Sequence, residues 1–352
     1  MGEKNKILHN KFGRKDLEKL LSEENFERIT LSFYKYVIIT DPVALRKKLF
    51  VTWDKLSIKG RIYIAAEGVN AQLSCPGPNW SKCVRSIKAI KEFEDIPFKI
   101  AVEENKPSFL KLTIKVKNQI VADGLEEAEY DVTDVGTHLT AEEWNDCMNN
   151  GAIVVDVRNH YESRIGHFEG AIYLDVDTFR EELPLITEKI KEKKDEKILL
   201  YCTGGIRCEK TSSYLKHHGF KDVNQLHGGI IDYAKQIEEN NLENKFIGKN
   251  FVFDDRLGEK ISRDIISTCD QCGKPCDDYT NCNYVDCNLL FLQCETCQNE
   301  YGGCCTKECE TMSKLPKGEQ KEIRKARNRP SITSFKKSIR PQENIAERKR
   351  NT

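Results

Sequence analysis

Residues 197–210 read KILLYCTGGIRCEK. The apolar run Ile198, Leu199, Leu200 predicts a buried strand, Gly204 and Gly205 a tight loop, and residues 208–218 have the length and pattern of a helix. That order sets Cys202 at the carboxyl end of a strand, where loop N–H groups and the positive end of the next helix stabilise a thiolate or a persulfide. Cys202 is therefore the candidate for the chemistry. Thr203, Gly204, Gly205 and Ile206 supply the loop backbone, and Arg207 closes it.

Working outward, strand-like runs at 152–156, 170–175, 197–202 and 223–226 alternate with helical stretches, which predicts a parallel sheet covered on both faces. Ligands of such sheets sit at the carboxyl ends of the strands. Asp156 and Arg158 occupy such an end and are expected to orient the loop. Thr140 with Glu143 forms a helix-start capping box ahead of this unit. Cys208 reads as a buried helix residue, with a resolving partner for Cys202 across the loop as the alternative. His160 and Glu162 make a His-x-Glu pair, an incomplete iron-type set without a third ligand nearby.

Upstream, residues 29–121 read as β-α-β-β-α-β, a ferredoxin-like (acylphosphatase-like) α+β domain. A short leading helix is expected within 1–28 and a linker at 122–138, with the parallel α/β unit spanning 139–243. Arg61, Lys106, Lys111, Lys115 and Lys117 could offer phosphates a basic surface.

Of fifteen cysteines, ten crowd the expected metal-binding region, 244–312: Cys269, Cys272, Cys276, Cys282, Cys287, Cys294, Cys297, Cys304, Cys305 and Cys309. The amino-terminal sequence has no apolar signal core, so thiols held by metal are a better account than disulfides. Four thiolates per tetrahedral zinc would use eight of the ten in two structural sites, and spacing leaves open which eight. Residues 313–352 carry thirteen Lys or Arg against four Glu, in a chain whose formal net charge is zero. This basic tail is expected to lack fixed structure and to seek nucleic acid. No apolar run approaches the roughly 18 residues of a membrane span, so a cytoplasmic protein is expected. No dinucleotide fingerprint is present, and neither flavin nor haem binding is evident.

Residues 156–175, DVRNHYESRIGHFEGAIYLD, followed by the Cys202 loop, resemble the rhodanese, or sulfurtransferase, domain over about 139–239. Four residues separate Cys202 from Arg207, one fewer than in phosphatase relatives, and the smaller loop suits sulfur better than a tetrahedral anion. Together with YKYVIITDPVALRKKL (34–49), AEGVNAQLS (66–74) and LLFLQCETCQNEYGGCCTKEC (289–309), the chain resembles the oxygen-dependent tRNA uridine hydroxylase family. That resemblance implies conversion of wobble uridine 34 to 5-hydroxyuridine, molecular oxygen as co-substrate and Cys202 as the essential cysteine, described in the family as a persulfide. It also implies a tRNA anticodon arm held by the flanking domains and tail. A rhodanese-type sulfurtransferase carrying a Cys202 persulfide, and a non-catalytic RNA-binding scaffold, remain alternatives on the residues alone.

Overall fold

The computed structural model describes residues 13–102, 107–124 and 134–326; residues 1–12, 125–133 and 327–352, with the basic-surface candidate Lys106, lie outside the described residues. Helix α1 (Arg14–Ser22) precedes β1 (Arg28–Tyr36), α2 (Pro42–Lys55), β2 (Lys59–Ala65), β3 (Gly68–Pro76), α3 (Trp80–Lys88), β4 (Lys99–Ile100) and β5 (Leu112–Val116). The sheet order is β4-β1-β3-β2-β5, so the expected ferredoxin-like arrangement is extended by β5, parallel to β2 at the edge. Helix α2 begins where Asp41 accepts hydrogen bonds from the Val43 and Ala44 N–H groups, and Pro42 takes a first-turn place that needs no donor. Strand alternation sends Leu31, Phe33, Ile62, Ile64, Ala71 and Leu73 into one core with Trp53. The intervening side chains form a second, polar and aromatic face.

The central unit contains β6 (Thr137–Leu139), α4 (Ala141–Asn149), β7 (Ile153–Asp156), α5 (His160–Ser163), β8 (Gly166–Phe168), α6 (Phe179–Lys189), β9 (Lys197–Tyr201), α7 (Ile206–His217), β10 (Asp222–Leu226) and α8 (Gly229–Glu239). Its sheet runs β6-β10-β9-β7 with every neighbouring pair parallel. Along β9, Leu199 and Tyr201 pack with Trp144 and Phe168 on one face, while Ile198 and Leu200 pack with Ile186 and Leu215 on the other. Both faces are thus covered, which is why this strand reads as a continuous apolar run. Thr140 and Glu143 form the reciprocal cap of α4.

Two expectations need correction here. Residues 170–175 form no strand and pair with the sheet through a single parallel bridge between Ile172 and Val155, after a turn at Gly170 with φ of 70°. The fourth strand is instead β6, which straddles the boundary, with Thr137 and His138 in the stretch expected to be linker, and pairs with β10. Three residues among acidic and glycine-rich neighbours are too short to give a strand pattern.

Beyond α8 come β11 (Phe246–Asn250), β12 (Glu259–Lys260), β13 (Tyr279–Asn281), β14 (Leu290–Leu292), α9 (Glu295–Glu300), α10 (Lys307–Lys314) and α11 (Lys317–Ala326). Strand β11 pairs antiparallel with β8, which fastens the C-terminal segment to the central unit. The tail expected to be without structure from 313 holds the end of α10 and all of α11, where Lys314–Glu310 and Lys325–Glu322 pairs sit at helical spacing. No helix among the described residues is long and apolar enough to cross a membrane.

Candidate active site and cysteine clusters

The Cys202 loop follows β9 directly, and its sulfur accepts a hydrogen bond of 3.1 Å from the Gly205 N–H. Two glycines make the loop possible. Gly205 has φ of 93°, and a Cβ there would lie 2.8 Å from the Tyr34 hydroxyl oxygen; a Cβ on Gly229 would lie 2.5 Å from the Cys202 carbonyl oxygen. Ile230 and Ile231 N–H groups, at the start of α8, donate to the Cys202 and Thr203 carbonyls.

Burial opposes ionisation of Cys202. The Cys208 thiol hydrogen bond, the Arg207 guanidinium and the Arg207 and Cys208 N–H groups outweigh it and lower the Cys202 thiol to about 5. Burial, and the proximity of Cys202, push Cys208 well above the ordinary thiol range, so it stays the protonated donor of the pair. Arg207 does not close the loop around an anion. Both its terminal nitrogens donate to Glu162, at 2.6 and 2.8 Å, in a buried bidentate pair. Glu162 is therefore committed to Arg207, while His160 Nδ1 faces Asp177 at 3.1 Å, so the His-x-Glu pair does not converge as a metal set.

Asp156 and Arg158 are fully buried behind the loop rather than in front of it. Arg158 binds Asp156 through two hydrogen bonds of 2.8 and 2.7 Å and reaches the Gly166 carbonyl. The Tyr201 hydroxyl donates to Asp156 at 2.7 Å, which ties this pair to the residue before Cys202. Their position suits holding the strand end.

In front of Cys202 lies a cavity of about 320 Å³. One wall is the loop, with Cys202, Thr203, Gly204, Ile206 and Arg207. The opposite wall is the polar face of the N-terminal sheet: Ser32 and Tyr34 on β1, Arg61 and Tyr63 on β2, Asn70 and Gln72 on β3, and Lys99 on β4. Register aligns Lys99, Ser32, Gln72 and Arg61 in one cross-strand row, and Tyr34, Asn70 and Tyr63 in the next. The third wall, Val252 to Glu259, comes from the segment that leads toward the cysteine block. Tyr34 donates to Glu209 on α7, and Tyr36 to the Ile206 carbonyl, fastening sheet to loop.

Sequence reasoning reached the loop wall only. Alternation of Ser32, Tyr34 and Tyr36 with Leu31 and Phe33 marks a two-faced strand, but nothing local says that its polar face covers a cysteine 170 residues later. Lys111, Lys115 and Lys117 do not line this cavity, whereas Arg61 does.

Three parts of the chain match known domains: residues 28–120 the UPF0176 acylphosphatase like domain, 140–236 the Rhodanese-like domain and 247–310 the Rhodanase C-terminal description. A Leptospira interrogans protein named tRNA uridine(34) hydroxylase is 54% identical over 339 residues, covering 96% of this chain and 92% of the relative. The chain belongs to the tRNA uridine(34) hydroxylase family. Relatives of the same name from Pectobacterium carotovorum and Escherichia fergusonii are 46% and 44% identical, each over 91% of this chain and over 91% and 92% of their own lengths.

In this member of the tRNA uridine(34) hydroxylase family, eight C-terminal cysteines converge in two sets. Cys269, Cys272, Cys294 and Cys297 form one, Cys282, Cys287, Cys305 and Cys309 the other, and within each the sulfurs lie within 4.8 Å of one another. The sets interleave along the chain, so each ion would brace a long loop. Cys272–Cys294, Cys287–Cys305 and Cys305–Cys309 sulfurs are 3.6, 3.6 and 3.7 Å apart. Four thiolates at about 2.3 Å from a tetrahedral ion would be about 3.8 Å apart, so the sets fit such an ion. Cys294 and Cys305 N–H groups donate to the Cys269 and Cys282 sulfurs, the orienting bonds that thiolate ligands take. Cys276 and Cys304 belong to neither set. Burial pushes the Cys276 thiol up to about 11, and the Cys304 sulfur faces Ser313.

Proposed function

We propose that this chain hydroxylates uridine 34 of tRNA at C5, with Cys202 as the essential side chain. The observation that carries the reading is a depressed cysteine thiol opening into a cavity whose other wall is aromatic and polar, a place for one unstacked base. Bases in the anticodon loop are accessible in this way, whereas paired bases are not.

In the proposed reaction the Cys202 thiolate adds to C6 of the uracil ring, and the electron pair of the 5,6 double bond moves toward C5 and the C4 carbonyl. C5 then meets the oxidant, and loss of the C5 proton expels the thiolate. With molecular oxygen as oxidant and a dithiol as reductant, C5–H, O2 and two thiols give C5–OH, water and one disulfide. Arg207, held by Glu162, acts on the charge of the thiolate. Asp156 and Arg158 keep the strand end in place, and Thr203 to Ile206 supply the loop backbone.

The anticodon arm is held, in this reading, across the N-terminal sheet and the basic C-terminal tail, and the protein works in the cytoplasm. Zinc is the proposed occupant of both four-cysteine sets: all-sulfur tetrahedral sites are closed and structural, with no open position for chemistry. It supplies folding energy there. No step of the reaction passes through it.

The test is nucleoside mass spectrometry of tRNA from cells that lack the protein and are complemented with wild type or Cys202→Ser. The reading expects 5-hydroxyuridine to vanish in the deletion, to return with wild type and to stay absent with Cys202→Ser. Loss of a thiolated nucleoside instead would favour the sulfurtransferase.

A further inference from the structure

Two side chains of the cavity carry hydrogen-bonding capacity that the reaction above does not use. Lys99 is 4% exposed, and its ammonium lies 4.3 Å above the Tyr34 ring. Its chain passes the Cys202 loop, since a Cβ on Gly204 would lie 3.9 Å from Lys99 Cδ. Among the described residues no carboxylate lies within ion-pairing distance of it. Burial pulls its pKa down, with Asp232, Cys202 and Glu209 acting the other way.

Glu259 is the second. It is fully buried, lines the same cavity and is fixed through one oxygen only: Oε1 accepts from Arg256 at 2.5 Å and from the Val102 N–H at 3.1 Å. Arg256 is itself locked to Asp254 by two bonds of 2.9 and 2.6 Å. Among the described residues Glu259 Oε2 has no hydrogen-bond partner. A buried acceptor left open, on a carboxylate held rigidly by its other oxygen, is costly unless a ligand completes it.

We infer that Glu259 and Lys99 read the edge of the pyrimidine and make the site specific for uracil, with Glu259 Oε2 accepting from N3–H and the Lys99 ammonium donating to O4. The inference rests on the proposed tRNA reading and deepens it. Uracil presents a donor at N3 and an acceptor at O4. Cytosine reverses both, with a lone pair at N3 and an amino group at C4, so it would set acceptor against acceptor and donor against donor. A carboxylate and an ammonium cannot exchange roles by rotating, as a free amide could. Glu259 thereby becomes a specificity-determining residue contributed by the segment before the cysteine block, which is tied to the N-terminal domain through the Val102 N–H.

The test uses the full chain carrying Cys202→Ser and two anticodon stem-loop RNAs that differ only in having uridine or cytidine at position 34. The expected starting point is a preference of about tenfold for uridine. Glu259→Gln keeps an acceptor for Arg256 and Val102 but turns the open position into a donor of the same shape. It should abolish the preference or reverse it toward cytidine. Lys99→Met should weaken the uridine RNA about threefold and bind the cytidine RNA no more weakly, since it removes the donor set against the C4 amino group. Unaltered metal content and unfolding midpoint show that each variant is folded. An undiminished uridine preference in both variants, or no preference in the starting protein, overturns the base-reading assignment while leaving the tRNA reading in place. Failure of the starting protein to bind either RNA removes both.

Discussion

Cys202 and the C-terminal cysteines are the same residue in two opposite situations. Cys202 sits on a sheet and helix already folded by Leu199, Leu200, Ile186 and Leu215, and its one sulfur neighbour, Cys208, is a protonated donor. The cysteines of the block stand four together, and the fully buried apolar side chains beside them are only Phe291 and Leu292, with Tyr284, Leu289, Leu290 and Tyr301 partly buried, among the described residues. The difference teaches that a thiol's scaffold decides its role. Where packing holds the backbone, a thiolate is free to react; where it does not, thiolates are needed to hold the fold.

The largest effect separating the two regions should come from metal removal. A strong chelator acting on the purified protein should release two ions per chain, one per four-cysteine set, and melt the segment around β13, β14 and α9. Structural sites of this kind contribute about 10–16 kcal/mol each in small domains. Circular dichroism and limited proteolysis should show this segment lost and the Cys202 sheet retained. Loss of both together would mean that the scaffold of Cys202 also depends on metal.

A smaller effect sharpens the contrast on the reactive side. Alkylation of Cys202 by iodoacetamide should follow a midpoint near 5, against about 8.5 for an ordinary thiol. A depressed thiol favours the folded state above its ordinary value, and that contribution is lost as the pH falls toward 5. Arg207→Met removes the cation beside it and should move the midpoint upward. An ordinary midpoint in the wild type would remove the physical basis for reactivity at this loop.

The smallest expected effect lies inside the block. Cys276→Ala and Cys304→Ala, separately or together, should leave two ions bound per chain, because neither sulfur joins a set. Elemental analysis decides it. Loss of an ion from either variant would redraw the ligand sets.

What was legible in the sequence follows the range of the interactions. The strand, loop and helix around Cys202, the Thr140 cap and the N-terminal α+β order are written in contiguous residues, and their patterns were enough. The division of ten cysteines into two interleaved sets was not, since ligands such as Cys272 and Cys294 are brought together by intervening strands. Nor was the cavity. Lys99 and Glu259 are charged residues that in sequence look like solvated surface, and only the approach of the N-terminal sheet and the 252–259 segment buries them. The strand expected at 170–175 shows the reverse error, an apolar stretch that reaches the sheet edge and pairs at one residue.

The account stands or falls on Cys202 acting in oxygen insertion at the base. The direct measurement is incubation of purified wild type and Cys202→Ser protein with tRNA and a dithiol under heavy-isotope oxygen, followed by mass spectrometry of the nucleosides. The account predicts 5-hydroxyuridine carrying one heavy oxygen atom from the wild type and none from Cys202→Ser. Equal product from both proteins, or product whose oxygen comes from water, would contradict it.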